Sequence, residues 1–412
     1  MKTVGIIAEY NPFHKGHQYQ IAQLKEKTGA DYVMIAMSGD FLQRGVPSIM
    51  NKYARAKMAL AAGADIVFEL PALWAVSSAE LFGQAGVKLL AHTGCLDYLG
   101  FGAESDDLSA LKEIAKILAT EPEDYQTRLK ENLKAGLSFP KARSLALSHP
   151  RADLLDTPNN ILAMEYLKAL EKFSISSVTP VLIPRKGDAY HETEANSEFA
   201  SATAIRKMLL EPSETLTQED PSAKKYLPAS SFSIIKEYTK KYPLIREEDI
   251  SSMLFYALFS RAQNEKADIA DCSPELWNRI CKNLLHYEDF PQFCQLLKSK
   301  ELTHTRICRV LLHALLRFTD QDYTLGKEQD HVPYLRVLGF RKSAEPLLSA
   351  IKKEASVPLI TKVADASKYL SSDAYSLFEK DLFASHLYRQ LQISKGAKDL
   401  PNEYTQRIII IP

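Results

Sequence analysis

The sequence lacks the marks of a disulfide-bonded or membrane-spanning protein. Its five cysteines are odd in number and contain no Cys-x-x-Cys pair, which fits reduced thiols and predicts neither a disulfide framework nor a metal site. No run of about 18 apolar residues occurs anywhere in the chain. The apolar N-terminal run is broken by Glu9, and no small-residue cleavage site follows it. We therefore expect a soluble, cytoplasmic protein whose cysteines are purely structural.

An excess of charge of either sign is also missing. The chain has 51 Lys and Arg against 51 Asp and Glu, so its overall charge gives no sign of a nucleic-acid partner. Residues 1–200 carry 21 basic and 24 acidic side chains, whereas residues 301–412 carry 16 and 13. This asymmetry suggests an anionic partner for the C-terminal part, although a solvated surface explains it equally well.

The first hundred residues alternate short apolar runs with helical patterns. The apolar runs lie in KTVGIIAEY, DYVMIAMSG, ADIVFELP and CLDYLGFGAES, and VTPVLIP near residues 178–184 predicts a fifth strand. Short buried strands separated by helices are typical of βαβ units and a parallel sheet. The pattern therefore predicts an α/β fold with a Rossmann-like core.

Composition divides the chain of 412 residues into three segments. Residues 1–210 form the predicted core, and residues 211–232, rich in Pro, Ser and Glu, are typical of a linker or surface loop. Residues 233–412 predict a mostly helical C-terminal domain that ends in a strand at QRIIIIP. Its helices are expected near residues 233–241, 247–262, 273–286, 303–318, 343–354 and 373–391.

The strongest local motif is His14-Lys15-Gly16-His17, between the first strand and the first helix. Backbone N–H groups at a helix N-terminus are unpaired and attract phosphate oxygens. Gly16 would let a nucleotide approach the backbone closely. The two imidazoles could donate hydrogen bonds to a triphosphate and stabilise charge as pyrophosphate departs. The alternative is that both histidines are structural.

The string IIAEYNPFHKGHQYQI resembles the first motif of HIGH-type nucleotidyltransferases. SATAIRKML resembles their second motif, in which a Ser/Thr-rich turn and an arginine hold the triphosphate from the other side. That resemblance assigns this role to Ser201, Thr203 and Arg206. Alone, the second motif is weak, because Ser201 as a plain helix cap explains it equally well.

Five strings together are similar to the bacterial tRNA(Met) cytidine acetate ligase family: AEYNPFHKGH, SGDFLQRGVPSI, LGFGAES, TPNNILAMEYL and YLRVLGF. The resemblance covers nearly the whole chain. It implies a nucleotidyltransferase core and ATP contacts from one continuous segment and three separate residues. These are Ile7, Ala8, Glu9, Tyr10, Asn11, Pro12, Phe13, His14, Lys15, Gly16, His17, Gln18, Tyr19, Gln20, Gly102, Asn160 and Arg185.

The resemblance also implies a two-step reaction. Acetate attacks the α-phosphate of ATP to give acetyl-adenylate and pyrophosphate, and the acetyl group then passes to the N4 amine of the wobble cytidine in elongator tRNA(Met). The order is chemically sensible because that amine is a poor nucleophile and acetate is unactivated. Two anions must meet, so positive charge is needed, which Lys15, Arg185, Arg206 and Mg²⁺ could supply.

A carboxylate follows the second predicted strand, in Ser38-Gly39-Asp40-Phe41. This position adjoins the expected ligand crevice of an open α/β sheet. Asp40 is therefore a candidate catalytic carboxylate that contacts the cytidine amine or a metal-bound water, and a loop-stabilising Asp is equally compatible. Gln43 and Arg44 follow it in a loop that either faces substrate or makes surface hydrogen bonds.

Arg306, Arg309, His313 and Arg317 are spaced three, four and four residues apart, which predicts one basic stripe on a helix. The leucines at 311, 312, 315 and 316 would then face the core. Arg336 and Arg341 extend the basic character. A solvated face is the commoner meaning of such a stripe, but the family resemblance favours contact with the tRNA backbone.

Two other functions remain open. A small-molecule adenylyltransferase of the same superfamily would need little beyond the core, whereas about 180 residues follow the predicted linker. A non-catalytic nucleotide-binding regulator would not need both His14 and His17. The favoured partners are thus ATP, acetate and elongator tRNA(Met), with no membrane and no protein partner indicated.

Overall fold

In the computed structural model of the chain, the residues described are 1–137, 139–185, 199–211, 221–263, 268–299 and 302–412. They contain one sheet of eight strands with the order β5-β4-β1-β2-β3-β6-β7, and β8 pairs with β6. The strands are β1 (Thr3–Ala8), β2 (Tyr32–Ser38), β3 (Ile66–Leu70), β4 (Tyr98–Ala103), β5 (Thr179–Pro184), β6 (Leu335–Arg341), β7 (Leu359–Ile360) and β8 (Ile409–Ile411).

Helices cover both faces of this sheet and form most of the C-terminal part. They are α1 (Lys15–Thr28), α2 (Lys52–Ala61), α3 (Ala72–Ala75), α4 (Ala79–Ala91), α5 (Leu108–Thr120), α6 (Glu123–Lys134), α7 (Phe139–Ala146), α8 (Pro158–Lys172) and α9 (Ala202–Leu210). They continue as α10 (Pro221–Lys224), α11 (Ala229–Thr239), α12 (Ser251–Ala262), α13 (Pro274–Asn283), α14 (Phe290–Leu297), α15 (His304–Leu316), α16 (Asp320–Glu328), α17 (Glu345–Glu354) and α18 (Ser372–Ser394).

The first five strands confirm the predicted α/β core. They pair in parallel throughout, and every residue of β3 is buried, as expected for a strand covered on both faces. The chain runs from β1 through α1 to β2 on one side, whereas β4 pairs on the other side of β1. The order of the sheet thus changes direction between β1 and β4. Ligand crevices in open α/β sheets form at such a switch point, outside the carboxyl ends of the strands.

The C-terminal part differs from the prediction because it adds three strands to the same sheet. The sequence predicted only the last of them, and the missed strand β6 lies antiparallel against β3. Helices α14 and α16 were also missed, and residues 221–224, expected in a linker, form α10. Residues 212–220 of that segment lie outside the described residues. The sheet joins the first and last segments, and the boundaries at 210 and 232 stay predictions.

No helix in the described part of the chain combines the length and the apolar character needed to cross a membrane.

A buried group of four charges holds β3 to β6. Nζ of Lys52 lies 2.8 Å from Glu69 and 3.3 Å from Glu403, and Nη1 of Arg336 lies 2.9 Å from Glu69. Nη2 of Arg336 also pairs with Glu403. Two cations thus face two anions, so the group carries no net charge. All four side chains are less than 9% exposed, so water does little to screen these pairs.

We predict that Arg336→Met lowers the free energy of unfolding by about 3 to 5 kcal/mol, because it leaves two buried carboxylates facing one ammonium group. Urea unfolding of both proteins measures the difference. Lys353→Met is the control, since Lys353 pairs with Glu354 while 83% exposed, and it should change the free energy by less than about 1 kcal/mol. Equal effects of the two substitutions would contradict the interpretation.

Candidate functional site

A cavity of about 200 Å³ opens at the carboxyl ends of β1 and β4, beside the N-terminus of α1. The predicted ATP-site residues that line it are Ile7, Ala8, Glu9, Tyr10, Asn11, His14, Gly16, His17, Tyr19, Gln20, Gly102, Arg185, Thr203 and Arg206. The structure therefore brings together residues from both predicted motifs and from β4 and β5. Pro12, Phe13, Lys15, Gln18, Asn160 and Ser201 do not line it.

The two imidazoles cap the first helix. His14 is the N-cap residue of α1, and its Nδ1 accepts a hydrogen bond from the N–H of Gly16 at 3.1 Å. Nδ1 of His17 accepts from the N–H of His14 at 3.2 Å. The rings stack with their centroids 3.7 Å apart and an angle of 23° between their planes. Since Nδ1 is an acceptor in each ring, the proton of each neutral ring resides on Nε2.

The sequence-based explanation of the motif needs one correction. It expected unpaired N–H groups at the start of α1, but the N–H of Gly16 is bonded to His14 and that of His17 to the carbonyl of His14. The N–H of Lys15 donates to the carbonyl of Tyr226 at 3.0 Å. Because His14 and the carbonyl of Tyr226 satisfy these backbone donors, side chains, and not the first N–H groups of α1, supply the hydrogen bonds to an anion here.

Both rings are held neutral near pH 7. Burial, together with the charges of Arg185 and Arg206, lowers the pKa of His14 to about 3. Burial also places the pKa of His17 well below its usual value, with smaller contributions from His14 and Arg185. Two neutral Nε2–H donors beside two guanidinium groups make a site that favours an anion.

Gly16 provides the space that the ring of His14 occupies. A Cβ at residue 16 would lie 2.9 Å from Cε1 and 3.0 Å from Nδ1 of that ring, closer than such atoms approach without a shift. The imidazole thus gives a reason for glycine here that the sequence did not indicate, and because Gly16 also lines the cavity, the close approach of a nucleotide stays a prediction.

We predict that Gly16→Ala displaces the His14 ring and weakens ATP binding by roughly 10- to 100-fold, since shifts of about 1 Å in such sites have effects of that order. Isothermal titration with ATP measures the affinity, and thermal unfolding checks the fold. Glu26→Ala, an exposed position on the same helix, is the control. Unchanged ATP affinity in Gly16→Ala would show that the ring position is not required.

The second motif meets the first across the cavity. Arg206 donates from Nη1 to the carbonyl of Asn11 at 2.9 Å and from Nη2 to Oγ1 of Thr203 at 3.1 Å. Ser201 caps α9 by accepting from the N–H of Ala204 at 3.0 Å, so the alternative of a helix cap is confirmed for its side chain. The bond from Arg206 to Asn11 therefore joins the two motifs, which lie about 190 residues apart in sequence.

Asn160 lies behind the cavity wall. Its Oδ1 accepts from the N–H groups of Glu104 and Ser105 at 3.0 and 3.1 Å, and its own N–H donates to Glu104 at 2.9 Å. These bonds fix the loop that follows β4. The neighbouring Asn159 lines the cavity instead.

The loop of Gln43 and Arg44 faces the cavity, which was one of the two alternatives that the sequence left open. Gln43 and Arg44 both line it, and the N–H of Gln43 donates to Oε1 of Glu9 at 2.8 Å. Several further lining residues were not predicted from the sequence, because they come from separate strands, helices and loops that only the folded chain brings together. These are Phe82, Phe101, Asn159, Leu162, Tyr166, Phe199 and Glu247.

Asp40 does not line this cavity. Its Oδ1 accepts the N–H of Lys52 at 2.7 Å, and its carbonyl accepts the N–H of Ser48 at 2.9 Å. Burial raises its pKa to about 6, against the opposing charges of Lys52 and Arg55. The side chain borders a second cavity of about 390 Å³. These contacts are those of a loop-stabilising residue, and a catalytic role for Asp40 stays a prediction.

The predicted tRNA contact is wrong for two residues, His313 of the basic stripe and Arg336 beyond it. His313 is 2% exposed and bonds to the carbonyls of Val76 and Ala270, while Arg336 is 2% exposed in the buried charge group. Neither can meet a phosphate backbone. The four leucines at 311, 312, 315 and 316 are buried as predicted. Arg306 pairs with Asp271 at 2.9 Å, Arg309 and Arg341 are half-buried, and Arg317 is exposed. For these four, contact with tRNA stays a prediction.

Comparison with known proteins agrees with the geometry. Residues 1–402 match the family model described as HIGH Nucleotidyl Transferase, so the chain belongs to this family of nucleotidyltransferases. Within it, the chain belongs with the proteins named tRNA(Met) cytidine acetate ligase. It is 43% identical to that of Thermoanaerobacter sp. (strain X514) over 394 residues, covering 94% of this chain and 95% of the relative. It is 36% identical to that of Acetivibrio thermocellus, with full coverage of both chains.

A solved structure supports the same assignment. TmcAL from Thermotoga maritima, bound with alpha-thio ATP, superimposes with a TM-score of 0.88 at 27% identity and covers both chains completely. The apo form of that protein gives a TM-score of 0.91 at 28% identity. The described part of this chain therefore has the fold of TmcAL.

Proposed function

We propose that this protein is an ATP-dependent ligase that activates acetate as acetyl-adenylate and transfers the acetyl group to N4 of the wobble cytidine of elongator tRNA(Met). The observation that carries the proposal is the pair of neutral imidazoles, each with its proton on Nε2, facing Arg185 and Arg206 across one cavity. The names of the relatives and the nucleotide analogue bound to the Thermotoga protein support the substrates.

In the first step, acetate attacks the α-phosphorus of ATP and the bond to the β-phosphate oxygen breaks. Charge accumulates on the departing pyrophosphate. Hydrogen bonds from Nε2–H of His14 and His17 stabilise that charge, and because the rings are already neutral and fixed, no rearrangement is needed. Arg185 and Arg206 lower the repulsion between the carboxylate and the triphosphate.

One region of the cavity suits the adenine ring. Its lining is apolar and aromatic, with Phe101 and Tyr166 at a centroid distance of 6.1 Å. An apolar wall and a cationic wall in one cavity match the two ends of ATP. We place the base at the apolar wall and the phosphates at the imidazoles.

Mg²⁺ is part of the proposal as the ion that accompanies the triphosphate. The cavity offers two carboxylates, Glu9 and Glu247, and magnesium in such sites is bound by one or two carboxylates together with substrate phosphates. When bound, it would neutralise phosphate charge during displacement. Burial raises the pKa of Glu247, which the charges of Arg206 and Arg44 oppose.

In the second step, the cytidine amine attacks the carbonyl carbon of acetyl-adenylate, and AMP leaves. The wobble base lies in a single-stranded loop, so it can leave its stack at lower cost than a paired base. The proposal includes contact of four arginines with tRNA, namely Arg306, Arg309, Arg317 and Arg341.

The proposal also includes a catalytic role for Asp40. Asp40→Asn tests this role, because a catalytic carboxylate predicts normal activation of acetate with reduced acetyl transfer.

The main experiment measures both steps with labelled acetate, ATP and a tRNA(Met) transcript. We expect acetate-dependent exchange of pyrophosphate into ATP, and label in RNA that nuclease digestion recovers as acetylcytidine. A transcript with uridine at the wobble position lacks the amine, so the exchange should persist while the label disappears. His17→Ala should reduce the exchange by roughly 100-fold or more, because it removes a donor to the leaving group.

Lys353→Met is the control variant and should retain both activities, because its side chain is exposed and remote from the cavity lining. Label absent from RNA under every condition would contradict the proposal. A dinucleotide product would instead support the small-molecule adenylyltransferase, and nucleotide binding without turnover would support a regulator.

A further inference from the structure

Three ligand-type side chains meet at the contact of α14 with α15, outside the residues that line the candidate ATP cavity. Sγ of Cys308 lies 3.5 Å from Sγ of Cys294 and 3.5 Å from Nδ1 of His304. The possible ligand atoms of all three lie within 4.8 Å of one another. Both cysteines are buried and His304 is half-buried. Each is a side chain of the type that zinc prefers.

These distances match a shared metal ion. Zinc binds sulfur at about 2.3 Å and imidazole nitrogen at about 2.0 to 2.1 Å, so tetrahedral geometry places two sulfurs about 3.8 Å apart and a sulfur and a nitrogen about 3.6 Å apart. The observed separations of 3.5 Å are close to both values. A disulfide would require about 2.05 Å between the sulfurs, so the thiols are not bonded to each other.

The arrangement also has the right local structure. His304 and Cys308 are four residues apart on α15, so they share one face of the helix. Two ligands at this spacing on one helix are a recurrent metal-binding element. Cys294 faces them from α14, so a metal would join two helices.

We propose that Cys294, His304 and Cys308 bind a zinc ion. Three protein ligands leave one position of the tetrahedron for water, because no fourth His, Cys, Asp or Glu joins the group among the residues that the structure describes. Both sulfurs ligate as thiolates, so binding releases two thiol protons. The sequence predicted no metal site, because ligands ten and four residues apart form no recognised cysteine motif.

The site is placed to support the loop beside the ATP cavity. A Cβ on Gly45, whose φ is +80°, would lie 2.4 Å from the backbone nitrogen of Arg309 and 2.5 Å from the carbonyl carbon of Cys308. The loop that carries Gln43 and Arg44 therefore packs directly against α15 at Cys308, one of the two proposed ligands on that helix. Zinc would fix that segment to α14.

The test uses the full chain, purified under reducing conditions, stripped with a chelator and titrated with Zn²⁺ against a chromophoric chelator. We expect one zinc per chain. Co²⁺ should give thiolate-to-cobalt charge-transfer bands and the intense visible bands of a tetrahedral ion. Cys294→Ser, Cys308→Ser and His304→Gln should each weaken zinc binding by more than about 100-fold, since loss of mere outer-shell partners already costs 10- to 100-fold.

Cys272→Ser and Cys281→Ser are the matched controls, because these thiols are half-buried and lie outside the group. They should bind zinc as the unaltered protein does. If a ligand variant fails to fold, the cobalt spectrum of the unaltered chain still shows whether thiolates bind the metal. Zinc binding that is equal in Cys294→Ser and the unaltered chain, or cobalt spectra without thiolate bands, would overturn the proposal. A disulfide between Cys294 and Cys308 in protein purified under reducing conditions would also overturn the proposal.

Discussion

The site depends on one local interaction, the capping of α1 by the imidazole of His14. Because Nδ1 of His14 and Nδ1 of His17 accept backbone N–H groups, each neutral ring carries its proton on Nε2. Burial keeps both rings uncharged, the rings are stacked, and Gly16 leaves the space that the His14 ring occupies. The helix N-terminus therefore acts on an anion through two side chains, while its own first N–H groups are already satisfied. A donor pair built in this way is positioned before any ligand arrives, which is the condition for electrostatic stabilisation of a leaving group.

The rest of the structure holds in place the other residues and loops that surround the two imidazoles. Arg206 reaches the carbonyl of Asn11 from α9, and Asn160 fixes the loop after β4 from α8. The C-terminal part is not a separate addition to this core, since β6 extends the sheet and the buried charges of Arg336 and Glu403 meet Lys52 and Glu69. Parallel strands bring the two motifs to one edge, and the packed helices keep them there.

Local patterns predicted those features that depend on neighbouring residues. The alternation of strands and helices, the position of His14 and His17 before α1, and the cap at Ser201 were all confirmed, because each is set within a few residues. The spacing of Arg306, Arg309 and His313 correctly indicated a helix. It could not indicate that His313 packs against the carbonyl of Val76, since spacing identifies a shared face and not what covers it. The same limit explains why β6 was missed: its pairing partner lies about 270 residues earlier.

The central claim is tested most directly by the protonation state of the two rings. Nitrogen shifts of ¹⁵N-histidine-labelled protein report which ring nitrogen carries the proton, and His14→Gln and His17→Gln variants assign the signals. From pH 8 down to pH 5, both residues should remain neutral with the proton on Nε2, because the pKa of His14 is lowered to about 3 and that of His17 also lies well below its usual value. Protonation of Nδ1, or conversion to imidazolium near the ordinary pKa of about 6.5, would contradict the account.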